Sequence, residues 1–272
     1  MATEIYSGPL GEVRTISTAG GGTALTTTAA YIHIIPGTNW LALTARNFST
    51  AVVAKFALNP FLIVIKTTDA LVAVGNLTDY SNEAQDGLAS TDVTLSSLTA
   101  GAFVYIGSHV PFRGVTIDVD AANSTASTDL TVKYWNGSAW ASISATDNTV
   151  SGGISLAQDG TVTWTVPSTW VPVSLRAAGD TLLFAPADLV NPKIYWTRWE
   201  WDATMDSATT LNSIIALNRD TAQYGELISG QSFETAVHRG RGGVAAVEAL
   251  TDAGTANLVV NAAVRGSGGS FG

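Results

Sequence analysis

Histidines and carboxylates are the side chains in this chain that can do acid–base or metal chemistry, because the 272 residues include no cysteine. That absence removes thiolate catalysis, disulfides and zinc–thiolate sites together. The three histidines, His33, His109 and His238, are far apart in sequence, and no H-E-x-x-H motif joins two of them. Each reads as a structural or solvated side chain. Asp118 and Asp120 stand two apart on an alternating stretch, so both carboxylates project from one face of a strand. With Asp129 or Asp147 on a neighbouring loop they have the elements of a calcium site or of an acid/base couple. A plain solvent face satisfies the same alternation and is the reading adopted. GNLTDYSNEAQDGLASTD adds Asp79, Glu83, Asp86 and Asp92, but at spacings unlike the EF-hand loop, and it reads as a solvated acidic loop. No G-x-S-x-G is present, and neither Gly20-Gly21-Gly22-Thr23 nor Gly240-Arg241-Gly242-Gly243 is followed by G-K-[ST]. The expectation is therefore no enzyme activity, no catalytic residue and no cofactor. Calcium is the one ion these carboxylates are suited to hold.

The tryptophans offer a different chemistry. Seven of the eight, Trp135, Trp140, Trp164, Trp170, Trp196, Trp199 and Trp201, fall between residues 103 and 217. Aromatic faces on a β-sheet stack against sugar rings, or else fill a sandwich core and pin cross-strand pairs. Core filling is the expected use for most of them. Trp135, Trp140, Trp199 and Trp201 are the candidates for glycan or partner contact.

The elements that must position these residues read as strands. In LTVKYWNGSAWA, Leu130, Val132 and Tyr134 alternate with Thr131, Lys133 and Trp135, which is the period of a half-buried strand. Asn136-Gly137 then predicts a tight type I′ hairpin turn. GTVTWTV places Val162, Trp164 and Val166 on one face, and IYWTRWEW alternates in the same way. Val115, Ile117 and Val119 alternate with Thr116, Asp118 and Asp120, and Thr209 to Leu217 is a closing strand. Such spacing of short strands and turns indicates an all-β fold, a jelly-roll or Ig-like β-sandwich.

Around that sandwich, residues 1–30 are small and Gly-rich and read as a flexible arm or an irregular edge strand. Residues 31–100 form an N-terminal β segment followed by the acidic loop. Within it, AVVAKFAL and FLIVIKT flank Asn59-Pro60 as a predicted hairpin, and the unbroken FLIVI predicts a strand buried on both faces. Residues 101–217 are the Trp-rich sandwich. Residues 218–272 follow, in which Tyr224, Leu227 and Ile228 fall at helical spacing but Gly225 and Gly230 oppose a helix. Two Ala/Val-rich strands, Val244 to Leu250 and Asn257 to Val264, read as a C-terminal β-hairpin that packs with residues 31–75 as an additional small β domain, with the sandwich inserted between.

Composition narrows the setting. Charged residues make up 13% of the chain, and the net charge is −9. That share is about half the ordinary one, which suits a subunit that hides surface in an assembly. No basic block exists, so nucleic acid is not an expected partner. The apolar run Phe61 to Ile65 is too short to span a bilayer, and MATEIYSGPLGEVR lacks a basic-then-apolar leader, so the expectation is a soluble protein made in the cytoplasm with no membrane partner.

A family resemblance joins these readings. YIGSHVPFRGVTIDVDAANSTASTDLTVKYWNGSAWASISATDNT, then SLAQDGTVTWTVPSTWVPVSL and YWTRWEW, resemble a recurrent β-sandwich module of tailed-bacteriophage virion proteins. Tyr134 to Trp140, Asp159 to Trp164 and Tyr195 to Trp199 carry its motifs, and EALTDAGTANLVVN resembles the endings of small phage structural proteins. The resemblance implies a non-enzymatic virion structural protein, made in the host cytoplasm and placed on the particle, whose partners are copies of itself and the major capsid or other virion proteins. Capsid decoration as a symmetric oligomer is the role it favours. The alternative is a tail or fibre component that binds host-surface glycan through exposed tryptophans.

Overall fold

The structure is a computed structural model of the chain. It describes residues 12–15, 21–34, 38–49, 52–67, 77–86, 90–178, 192–217, 225–236 and 243–264. Two compact units emerge, one from Met1–Asn59 with Arg219–Gly272 and one from Pro60–Asn218. Both are all-β.

The first unit opens with β1 (Glu12–Thr15), β2 (Thr23–Leu25), β3 (Ala30–His33), β4 (Thr38–Arg46) and β5 (Ala54–Pro60). The chain then builds the second unit from β6 (Ile63–Thr67), β7 (Leu77–Asp79), the single turn α1 (Glu83–Asp86), β8 (Val93–Thr94), β9 (Val104–Ser108), β10 (Gly114–Ala121), β11 (Leu130–Trp135), β12 (Trp140–Ser142), β13 (Thr146–Asp147), β14 (Gly160–Thr163), β15 (Tyr195–Trp201) and β16 (Thr210–Leu217). It returns with β17 (Gly225–Leu227), β18 (Ser232–Ala236), β19 (Val244–Thr251) and β20 (Ala256–Val264).

In the first unit, one sheet has the order β1-β20-β4-β18, with β2 also on β20, and the other has the order β17-β5-β19-β3. Leu41, Leu43, Leu258 and Val260 from the first sheet share a core with Ile32, Phe56, Leu227 and Val247 from the second. Part of the expected flexible arm is strand: β1 and β2 pair in succession along one edge of β20, and Gly21 O accepts from Asn257 Nδ2. Polar, Gly-rich residues carry no periodic signal, but β20 offers them a row of backbone partners. The expected C-terminal hairpin is corrected as well. β19 and β20 lie in different sheets, so residues 252–255 arch across the sandwich, with Gly254 at φ 59°. Strands buried this fully satisfy the apolar pattern whichever sheet they enter. Leu227 ends a short strand, β17, rather than a helical turn, and Ile228 is exposed.

The second unit packs a six-stranded sheet, β12-β11-β15-β9-β6-β7, against a five-stranded sheet, β13-β14-β10-β16-β8. Between them lie Val64, Val104, Ile106, Val132, Trp199 and Trp201 from the larger sheet and Val115, Ile117, Val162, Leu211 and Ile214 from the smaller. β10 keeps the predicted alternation, with Val115 and Ile117 buried and Asp118 and Asp120 exposed. β6 is buried on both faces: Val64 enters the core between the sheets, and Ile63 and Ile65 enter a second cluster on the outer face with Tyr105, Ile194 and Trp196.

The predicted hairpin at Asn59-Pro60 is absent. β5 and β6 belong to different sheets, and the chain leaves the first unit at Asn59. The sandwich therefore begins at residue 60 rather than 101, and the acidic stretch belongs to it. Gln85, buried in that stretch, acts as a surrogate strand partner. Its Oε1 accepts from Leu62 N at 2.6 Å, and its Nε2 donates to Leu62 O at 2.6 Å and to Ser81 O at 2.5 Å. The turn at Asn136 is also revised. β11 and β12 close at Trp135↔Trp140, leaving a four-residue loop in which Gly137 alone has positive φ, so the type I′ form is excluded. Finally, β14 stops at Thr163, with Trp164 buried and Val166 exposed.

Candidate functional site

The four tryptophans expected as contacts separate into two pairs. Trp199 and Trp201 are 1% and 5% exposed, inside the core between the two sheets. Trp199 Nε1 donates to Thr197 Oγ1 at 2.9 Å, and Trp201 Nε1 to Ser155 Oγ at 3.2 Å. Their indoles and their donors are used internally, so these two are corrected from candidate contacts to core residues. β15 alternates as expected, but both of its faces are covered, so alternation could not tell a buried face from a free one.

Trp135 and Trp140 are half-buried on the outer face of the larger sheet, where they pack against the cluster around Tyr105 and Trp196. Their rings meet edge to face at 5.7 Å. Arg198 lies over Trp140 at 5.1 Å and over Phe103 at 4.5 Å. Glu200 fixes Arg198, accepting on Oε1 from Nε at 2.7 Å and Nη2 at 2.6 Å, and its Oε2 takes Lys133 Nζ at 2.7 Å. This arrangement places a guanidinium on one face of Trp140, the position a sugar ring would need. Gly107 makes room for the neighbouring Trp196: an added Cβ would come within 2.5 Å of its ring.

The two ends of this unit differ in chemistry. At the end where β9, β11 and β14 finish, three loops meet, 109–113, 136–139 and 164–173. Val110, Val166 and Val171 are exposed there at 42%, 41% and 41%, and each precedes a proline. The following proline holds each valine in extended backbone and brings no N–H of its own. Phe112, Trp164 and Trp170 form the floor, with Phe112 5.5 Å from Trp164 and 5.3 Å from Trp170. Trp164 Nε1 donates to Phe112 O, and Val171 N to Trp135 O, so the three loops are tied to one another. None of them contains a carboxylate.

The opposite end is acidic. Asp206 accepts from Ser124 N at 2.7 Å, Ser124 Oγ at 2.6 Å, and the N–H groups of Ala208 and Thr209 at 2.9 Å each. The Ser124 hydroxyl, then the Ala208 amide, hold its carboxyl well below the usual range. Asp202 Oδ1 accepts from Asp129 N, and Asp159 Oδ1 from Val119 N. Asp92 is shifted the other way. Burial, then the charges of Asp120 and Asp86, raise its pKa, and its Oδ1 is shut from solvent with no donor among the described residues.

The carboxylates proposed for calcium are not assembled into a ligand set. Asp118 accepts from Asn212 Nδ2, Asp120 from Thr210 Oγ1, Asp79 from Ser81 and Asp86 from Thr91. Asp147 accepts from the Thr149 amide and hydroxyl and from the Ser155 hydroxyl. Among the described residues, no group of three histidines or carboxylates is arranged to hold a metal. His33 lies on β3 of the first unit and His109 in the exposed 109–113 loop of the second; His238, Tyr224 and the terminal RGSGGSFG lie outside the described residues. The valine end was missed in the sequence, although three Val-Pro pairs beside aromatic residues were there to be read. The chain matches no protein-family model and no curated protein.

Proposed function

We propose that this chain is a non-enzymatic structural subunit of a tailed-phage particle, decorating and stabilising the capsid as a symmetric oligomer. The observation that carries the assembly reading is the valine end: three exposed valines on tied, proline-stiffened loops over an aromatic floor, free of carboxylates. Rigid apolar surface of this kind is what subunit interfaces bury. The phage setting rests on the sequence resemblance in Tyr134 to Trp140 and Tyr195 to Trp199. The low charged fraction supports both.

The test is a V110D/V166D/V171D triple variant. The expected result is loss of self-association and of capsid binding in co-sedimentation, with near-UV circular dichroism unchanged because the aromatic floor stays in place. Wild-type association by the triple variant would refute the reading. Glycan binding at a tail fibre is the second reading, favoured only by the partial exposure of Trp135. It requires retention on a glycan column that is lost in Trp135→Ala.

A further inference from the structure

The chain holds one Asn-Gly pair, Asn136-Gly137. It lies in the loop between β11 and β12, where Asn136 N donates to Ala139 O at 3.1 Å. Asn136 Oδ1 accepts three hydrogen bonds, from Ser138 N at 3.0 Å, Ser138 Oγ at 3.1 Å and Ala139 N at 2.9 Å. Three donors on one amide oxygen polarise its carbonyl carbon and stabilise negative charge that builds on that oxygen. Gly137 is exposed at φ 101°, and the nearest atom to the Cβ it lacks is Val171 Cγ2 at 3.6 Å. Among the described residues, its N–H donates to no protein group. A nucleophile without a shielding side chain therefore adjoins an activated carbonyl.

We infer that Asn136 deamidates spontaneously in the folded protein, assisted by its own turn. Hydroxide removes the Gly137 amide proton, and the nitrogen attacks Asn136 Cγ. The oxyanion forms on Oδ1, under the two N–H groups and the Ser138 hydroxyl. As the oxyanion collapses, water returns a proton to Nδ2, the Cγ–Nδ2 bond breaks, and ammonia leaves with hydroxide regenerated and a succinimide in place. Water then opens the ring. Cleavage of the Cγ–N bond gives aspartate, and cleavage of the backbone C–N bond gives isoaspartate. Neither step needs an oxidant or a reductant. Aspartate keeps the turn and adds a negative charge beside Val171, among three loops that otherwise carry no carboxylate. Isoaspartate lengthens the backbone by one carbon, so the Asn136–Ala139 bond and the Trp135↔Trp140 closure no longer fit. The valine end would thus change with the age of the protein.

The experiment incubates the folded full-length chain at mildly alkaline pH and maps tryptic peptides by mass spectrometry with isoaspartate detection, beside the same chain unfolded in urea and a folded Ser138→Ala variant. The expected result is amide-to-acid conversion at Asn136 ahead of every other asparagine in the folded chain, slowed several-fold in Ser138→Ala. An Asn136 that keeps its amide while folded but loses it in urea would overturn the inference. So would a Ser138→Ala rate equal to that of the parent.

Discussion

Asp206 and Asp92 lie toward the same end of the second unit and respond to acid in opposite directions. Asp206 gathers donors from Ser124, Ala208 and Thr209, so its folded pKa lies below its unfolded one. Its stabilisation is complete above the ordinary carboxylate range and is lost as pH falls through the folded value. Asp206→Ala is expected to cost about 2 kcal/mol at neutral pH, from the hydrogen bonds it forfeits, and the difference from wild type should shrink in acid. Asp92 is raised by burial and by its acidic neighbours Asp120 and Asp86. The charged form is thus a burden on the fold at neutral pH, relieved as pH falls through the raised value. Asp92→Asn should stabilise the protein at neutral pH, with the gain fading in acid. Urea unfolding at several pH values measures both. Parallel pH trends for the two variants would show the assignments to be wrong.

At the scale of elements, Gln85 is the joint between α1 and the chain entering β6. Gln85→Ala leaves the buried Leu62 N–H and C=O without partners and should cost about 3 kcal/mol, measured by urea unfolding. A wild-type midpoint would show that water or backbone takes over. Nothing in EAQDG announces this role, because a glutamine in an acidic stretch looks solvated until its depth is known. The tryptophans teach the same limit. Trp199→Ala should cost about 3–5 kcal/mol and Trp135→Ala about 1 kcal/mol, a contrast that thermal or urea unfolding resolves. Yet both residues sit in alternating aromatic strands, and sequence placed them together. Alternation was legible for β10, β11 and β15, because period two is a local property. Which sheet a strand joins is not local. The expected hairpins at Asn59-Pro60 and at residues 251–255 failed for that reason: adjacent apolar strands pair or part according to what lies across the core. The Val-Pro tips failed differently, since a single exposed valine is ordinary, and only the fold brings three of them to one end.

At the scale of the whole molecule, the chain makes two sandwiches, each with its own core, and the second is polarised. One end shows valines on stiff loops, and the other shows aspartates engaged with the loops around them. That polarity gives the unit a face suited to a neighbour and a face suited to water, which is the arrangement the proposed role would use. The low charged fraction, legible from composition, fits the same picture; the location of the apolar face was not legible. Capsid decoration is decided by a cryo-EM reconstruction of the tailed-phage particle to which the proposal assigns this chain. The expected result is many copies on the icosahedral shell, with Val110, Val166 and Val171 buried against a neighbouring subunit and Trp199 and Trp201 inside the sandwich. Absence of the chain from the particle, or a few copies at the tail tip with the valine loops in solvent, would contradict it.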